Sequence, residues 1–278
     1  MIRTVVITLL LLLFSGNGFS AQQPVRFGVF PFLSPKQVLQ IFAPIARKIE
    51  LDTGRPVQLH IAPDAITFEN KATEGSYDLL WPNNSTYFKL HKKFNYQAIV
   101  SGTPSFKGGV IVRSDSNISH IGELVGKRIG GTLSHSYAGY RFLFNELKAM
   151  GYTSPEDFII SQASRADTVV YGVLSKIFDG GTLRLDSIEA DNFAAVRNDI
   201  KIIAASPAVP QFPFVVHPKL EKGLVEQIRT SLLSLNDDER FSPVLQRLRM
   251  KKFVPATDMD YETFRKLMTS LSKQHDLD

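Results

Sequence analysis

Short apolar runs alternate with longer amphipathic ones along most of the chain. Residues 25–30, 57–62, 77–81 and 97–101 read as strands. After the first of them, Val38, Ile41, Phe42, Ile45, Ala46 and Ile49 recur at helical spacing and define one buried face. Ser34 offers an N-cap and Pro35 a first helical residue, whereas Pro44 inside the pattern is expected to kink or interrupt the helix. A second series places strands at 109–113, 127–131, 158–161 and 200–205. Its helices are at 140–150 (stopped by Gly151), along Val169, Val170, Val173, Leu174 and Ile177, and from Asp186 onward. Helical patterns over 220–235, 241–248 and 261–271 close the chain. This alternation predicts an α/β fold of mostly parallel sheets flanked by helices.

Two Pro- and Gly-rich stretches, 101–108 and 206–214, each follow a strand. A chain that crosses out and back there builds one lobe from residues 24–104 plus 214–278 and a second from 105–213. Open α/β sheets bind ligands beyond the carboxyl ends of their strands, so two facing sheets predict a site in the cleft between lobes.

The N-terminus reads as a cleavable signal peptide over residues 1–20. Arg3 precedes an apolar run at 5–14, Gly16 and Asn17 break it, and Gly18 and Ser20 stand at −3 and −1 before Ala21. That run is too short to span a bilayer, which predicts a soluble periplasmic protein. The chain has no cysteine, which excludes disulfides, a thiol nucleophile, thiolate metal sites and the lipid-carrying residue of a lipoprotein. A formal charge of +5 with scattered Lys and Arg favours small anionic partners weakly and argues against nucleic acid.

Candidate chemistry concentrates in the strand-to-helix turn GGTLSHSYAG at 130–139. Its glycines permit close backbone approach, N–H groups at a helix start favour an anion, and Thr132, Ser134 and Ser136 add neutral hydroxyls, with His135 and Tyr137 as further candidate ligand contacts. An ordinary polar loop ending in an N-cap has the same composition. His135 beside two serines does not make a catalytic triad, and the six histidines lack metal spacing. No catalysis, metal or cofactor is expected. At the matching strand end of the first lobe, Asn84 either caps a helix or meets ligand, and Tyr87 either reaches the cleft or packs. Phe32 is a cleft wall or core residue. Arg165, at a helix start after a strand, is a possible oxyanion clamp or a plain surface arginine.

Several segments, in this order, resemble the phosphonate/phosphate-type substrate-binding proteins of ABC transporters. They are GVFPFLSP at 28–35, GRPV at 54–57, KGGVIVRSDS at 107–116, LVGKRI at 124–129, VLSKIFDGG at 173–181 and FVPATD at 253–258. The resemblance implies a type II periplasmic-binding fold with ligand held between two lobes. It brings Tyr87, Ser136 and Tyr137 into the site through the family's Asn-Pro-x-Tyr and Ser-x-Ser-Gly-Tyr segments, and adds Asp179 as ligand contact or strand-end structure. Departures are Phe32 for a common tyrosine, Ala138 for the second serine, and Ser164-Arg165 for a Ser-His pair. The implied partners are an ABC permease or, for a sensing role, a sensor kinase, with a monomeric protein in either case. N-terminal sequencing of the exported protein is expected to begin at Ala21; full-length chain in the membrane fraction would contradict the signal-peptide reading.

Overall fold

The computed structural model describes residues 22–134, 136–163, 165–189 and 193–273; the predicted signal segment, its cleavage point and His135 lie outside them. In chain order the elements are β1 (Val25–Val29), α1 (Pro35–Thr53), β2 (Val57–Ile61), α2 (Ala65–Thr73), β3 (Leu79–Trp81), α3 (Asn84–Phe94) and β4 (Gln97–Thr103). There follow β5 (Gly108–Arg113), β6 (Ile129–Gly131), α4 (Phe142–Ala149), β7 (Ile160–Gln162), α5 (Ala166–Leu174), β8 (Gly180–Arg184) and β9 (Ile200–Ala205). The chain ends with β10 (Phe214–Val216), α6 (Lys222–Ser234), α7 (Ser242–Arg247), β11 (Lys252–Pro255) and α8 (Glu262–Lys273).

The strands form two sheets, ordered β11-β4-β10-β3-β1-β2 and β7-β6-β8-β5-β9. Both are mixed rather than mostly parallel. β1 pairs in parallel with β2 and β3, and β6 with β7 and β8. The strands that enter or leave a sheet at a crossing, β4, β5, β9 and β10, pair antiparallel. Separate apolar clusters fill the space between each sheet and its helices. The last helix reaches the second sheet's side, where Phe264, Leu267 and Met268 join the cluster around β5 and β6.

Local signals explain α1. The Ser34 hydroxyl accepts the Gln37 N–H while the Gln37 side chain returns to Ser34, and Gly54 ends the helix at φ 67°. Pro44 does not interrupt it. The proline sits on the exposed face, where the carbonyl it leaves unpaired reaches water, while Ile41, Phe42, Ile45 and Ala46 bury the opposite face on both sides of it. No long helix opens at Asp186. The chain makes one 3-10 turn (Leu185–Ser187), and the Asp186 carboxylate is drawn to Arg184. β10 lies where the sequence suggested the end of a linker, because Phe214, Val215 and Val216 are buried between β3 and β4.

Arg26 ties β1 to the chain entering β3. Its guanidinium grips both oxygens of Asp78 at 2.9 and 2.8 Å, and Asp78 also accepts the Arg26 backbone N–H at 2.9 Å. Burial pushes the Asp78 carboxyl up, but the Arg26 hydrogen bonds outweigh it and hold the group below its ordinary value. A depressed folded pKa stabilises the fold above the unfolded value of about 4 and loses that contribution as pH falls through the folded value. Asp78→Asn is therefore expected to lower stability at pH 7, with the gap to the parent protein closing below about pH 4 in acid-unfolding measurements.

Candidate functional site

The carboxyl ends of β3, β6 and β8 converge on the two segments that cross between the sheets. After β3, the Asn84 amide donates to the Pro210 carbonyl at 2.8 Å. After β6, Ala138 packs so closely on Gly108 that a Cβ there would fall 2.9 Å from the Ala138 Cα. At the end of β8, Arg184 donates to the Gln211 side chain at 3.3 Å. The crossings themselves pair, with Phe106 and Val209 exchanging backbone hydrogen bonds of 2.9 and 2.8 Å.

The turn after β6 is internally braced. Thr132 N–H donates to the Gly139 carbonyl at 2.7 Å, Gly139 N–H to Ser136 Oγ at 3.1 Å, and Thr182 Oγ1 to the Ala138 carbonyl at 3.1 Å. Residues 137–141 wind as a wide π-type turn that runs directly into α4. The Ser136 hydroxyl accepts from the helix start and keeps its own proton for another acceptor. Ser134 is exposed, with its backbone N–H held by the Gln162 side chain at 3.0 Å. Thr132, Ser134 and Ser136 thus lie on one short turn that runs into a helix. Tyr137 turns away from them. Its ring packs against Phe264 with centroids 5.4 Å apart, and burial raises its hydroxyl pKa despite a hydrogen bond with Ser206.

Across the crossings, Phe32 and Trp81 lie in contact at the ends of β1 and β3. Asn83 caps α3 by accepting the Thr86 N–H at 2.8 Å, and Asn84 is buried behind it.

Besides Tyr137, three of the expected site residues sit elsewhere. Tyr87 is a core residue: its ring is buried, and its hydroxyl donates to Asp258 at 3.1 Å and accepts the Ala98 N–H at 3.2 Å. Burial, reinforced by the Asp258 charge, raises its pKa well above the tyrosine range. Asp179 precedes β8, at the opposite end of the parallel strands from the turn. It binds the Arg128 guanidinium at 3.0 and 3.1 Å, and the resulting hydrogen bond holds its pKa down. The Arg165 fork is closed on Asp167, two residues away, at 3.0 and 2.6 Å on an exposed surface.

Sequence reasoning passed over Arg184 and Arg249. Arg184 pairs with Asp186, and Arg249, on the loop before β11, donates to Ser187 at 2.5 Å and lies 3.6 Å from Asp186. Two guanidinium groups thus share one carboxylate, and burial lowers the Arg249 pKa. The strand-end rule that selected Asn84 applies equally to Arg184, which closes β8. Among the described residues no three His, Cys, Asp or Glu side chains come together as a metal site.

Two mixed α/β sheets joined by paired crossings, with strand ends meeting at those crossings, define a type II periplasmic-binding fold. The family described as ABC transporter, phosphonate, periplasmic substrate-binding protein matches residues 27–261, and the chain belongs to it. The phosphonates-binding periplasmic protein of Escherichia coli is 22% identical over 275 residues, covering 95% of this chain and 81% of that protein. A binding protein of a Pseudomonas aeruginosa phosphonate transporter superposes with a TM-score of 0.74 at 18% identity, over 91% of this chain and 88% of that one. A Prochlorococcus marinus protein solved in complex with methylphosphonate gives 0.74 at 17%, over 90% and 98%. No described helix is long and apolar enough to cross a membrane.

With Tyr87 in the core, Tyr87→Phe is expected to orphan the Ala98 N–H and cost about 1–3 kcal/mol of stability in chemical denaturation. Methylphosphonate affinity is expected to stay within about two-fold; a larger loss would return Tyr87 to the site.

Proposed function

We propose that this chain captures a phosphonate or closely similar oxyanion between two lobes, residues 24–104 with 214–278 and residues 105–213, and passes it to an ABC permease. The observation that carries the reading is the braced Thr132–Gly139 turn. It offers hydroxyls and helix-start N–H groups beside the crossings and brings no carboxylate of its own. Neutral donors at a helix N-terminus suit a compact anion. The methylphosphonate held by the Prochlorococcus marinus protein and the name of the Escherichia coli relative support the choice of oxyanion. Export by the signal segment would bring the chain to the compartment where such binding proteins work. Reversible capture, without turnover, is the activity to which such neutral donors are suited.

Calorimetry with methylphosphonate tests the turn. Ser134→Ala and Ser136→Ala are each expected to weaken binding roughly ten-fold or more, since a hydrogen bond to a charged group contributes about 1.5–3 kcal/mol. Ser136→Thr, which keeps the hydroxyl and the cap, is expected to retain most of the affinity. Arg165→Ala is expected to change it less than about two-fold, because Asp167 already occupies the guanidinium. Unchanged affinity in both alanine variants would leave the serines as helix caps alone.

A further inference from the structure

Beside the anion turn, the strip along the crossings is aromatic. Trp81 touches Phe32 with ring centroids 4.9 Å apart and Phe212 with centroids 5.2 Å apart. Trp81 is 2% exposed, whereas Phe32 and Phe212 flank it half-buried and keep part of each ring open. Phe212 belongs to the second crossing and packs against the cores of both sheets. The run continues to Phe106 at 6.3 Å, on whose face the Arg184 guanidinium rests 3.9 Å from the centroid. The same strand end carries three buried polar atoms that the fold leaves unpaired: Trp81 Nε1, Asn83 Nδ2 and Asn84 Oδ1. Unpaired buried donors are costly, and the two N–H donors, Trp81 Nε1 and Asn83 Nδ2, gain a partner once a ligand oxygen arrives, whereas the Asn84 oxygen accepts and takes no part in that. At the far end of the run, Arg184, Asp186 and Arg249 together carry one net positive charge.

We propose that the oxyanion bound by this chain carries an uncharged apolar substituent, an alkyl or aryl phosphonate. Its organic body lies on the open parts of Phe32 and Phe212, backed by Trp81, and the Trp81 indole N–H and Asn83 amide donate to the nearest phosphonate oxygen. The Arg184–Asp186–Arg249 trio disfavours an ammonium on that body, since like charges repel in a low-dielectric cleft. This rests on the oxyanion reading above and adds to it the class of substituent.

Trp81 is the only tryptophan in the chain, so its fluorescence reports on this surface directly. The probes are phenylphosphonate, propylphosphonate, methylphosphonate, inorganic phosphate and 2-aminoethylphosphonate, the last matching propylphosphonate atom for atom except for one charged nitrogen. Fluorescence titration, checked by calorimetry, is expected to rank propyl- and phenylphosphonate about ten-fold or more above methylphosphonate, as two or more buried methylenes require. The aminoethyl compound is expected to fall at least ten-fold below its propyl isostere. Trp81→Phe keeps a ring and removes the N–H, and is expected to weaken propylphosphonate several-fold by calorimetry. Should that variant melt early, Phe212→Leu is read instead by its compression of the propyl-to-methyl ratio. Phosphate or the aminoethyl compound binding as tightly as propylphosphonate would overturn the inference and leave the oxyanion reading standing. Failure of all the probes to bind would overturn both.

Discussion

A backbone that passes between two sheets has N–H and C=O groups and no ladder to receive them. That constraint falls on residues 206–213, and it is met by side chains from the first sheet's part of the chain and by the backbone of β5. Asn84 supplies a donor to the Pro210 carbonyl, and the hydroxyls of Ser101 and Tyr261 reach the Gln211 carbonyl at 3.2 and 2.9 Å. The Gln211 amide donates to the Pro104 carbonyl at 2.8 Å, and Ser206 Oγ accepts the Gly108 N–H at 2.9 Å. Burial of the Tyr261 hydroxyl in this network raises its pKa far above the usual range. The turn after β6, the aromatic strip and the Arg184 trio are all placed by contact with these segments. The candidate site therefore depends on a polar network whose first task is to satisfy the crossings.

This division of labour explains what the primary structure disclosed. β1, α1 and the turn after β6 were legible because their determinants are local: alternation of apolar runs, a capping box, a helix-ending glycine. β10 and β11 were not. Each is short, and each is a strand only because distant β4 stands ready to pair with it. Pro44 misled because a rule for an isolated helix ignores which face meets water. Asp186 looked like the start of a helix, and is instead held by Arg184 and by Arg249, which is far off in the chain.

The site shows the same split between local and distant causes. Ser134, Ser136 and Thr132 share one loop, so their grouping followed from adjacency. Arg165 and Arg184 both stand two residues before an aspartate that each binds. Only the fold separates them: Arg165 lies on an open surface, whereas Arg184 stacks on Phe106 and reaches Gln211. Tyr87 and Asp179 were drawn toward the site by resemblance to a family pattern, but their partners Asp258 and Arg128 come from distant parts of the chain and engage them elsewhere. The strand-end rule brings Arg184 in and keeps Asp179 out only once β8 is known, and the apolar pattern of the sequence did not disclose that strand.

The pairing of Phe106 with Val209 has a mechanical consequence. Two separate tethers would let one half of the molecule swing, twist and slide against the other. Hydrogen bonds between them turn the tethers into a single narrow ribbon. The prolines at 207, 210 and 213 stiffen it further by fixing backbone angles along one edge. In the proposed capture, tethers joined in this way would leave little orientational freedom to lose on binding, so that a small guest with few contacts could still be held.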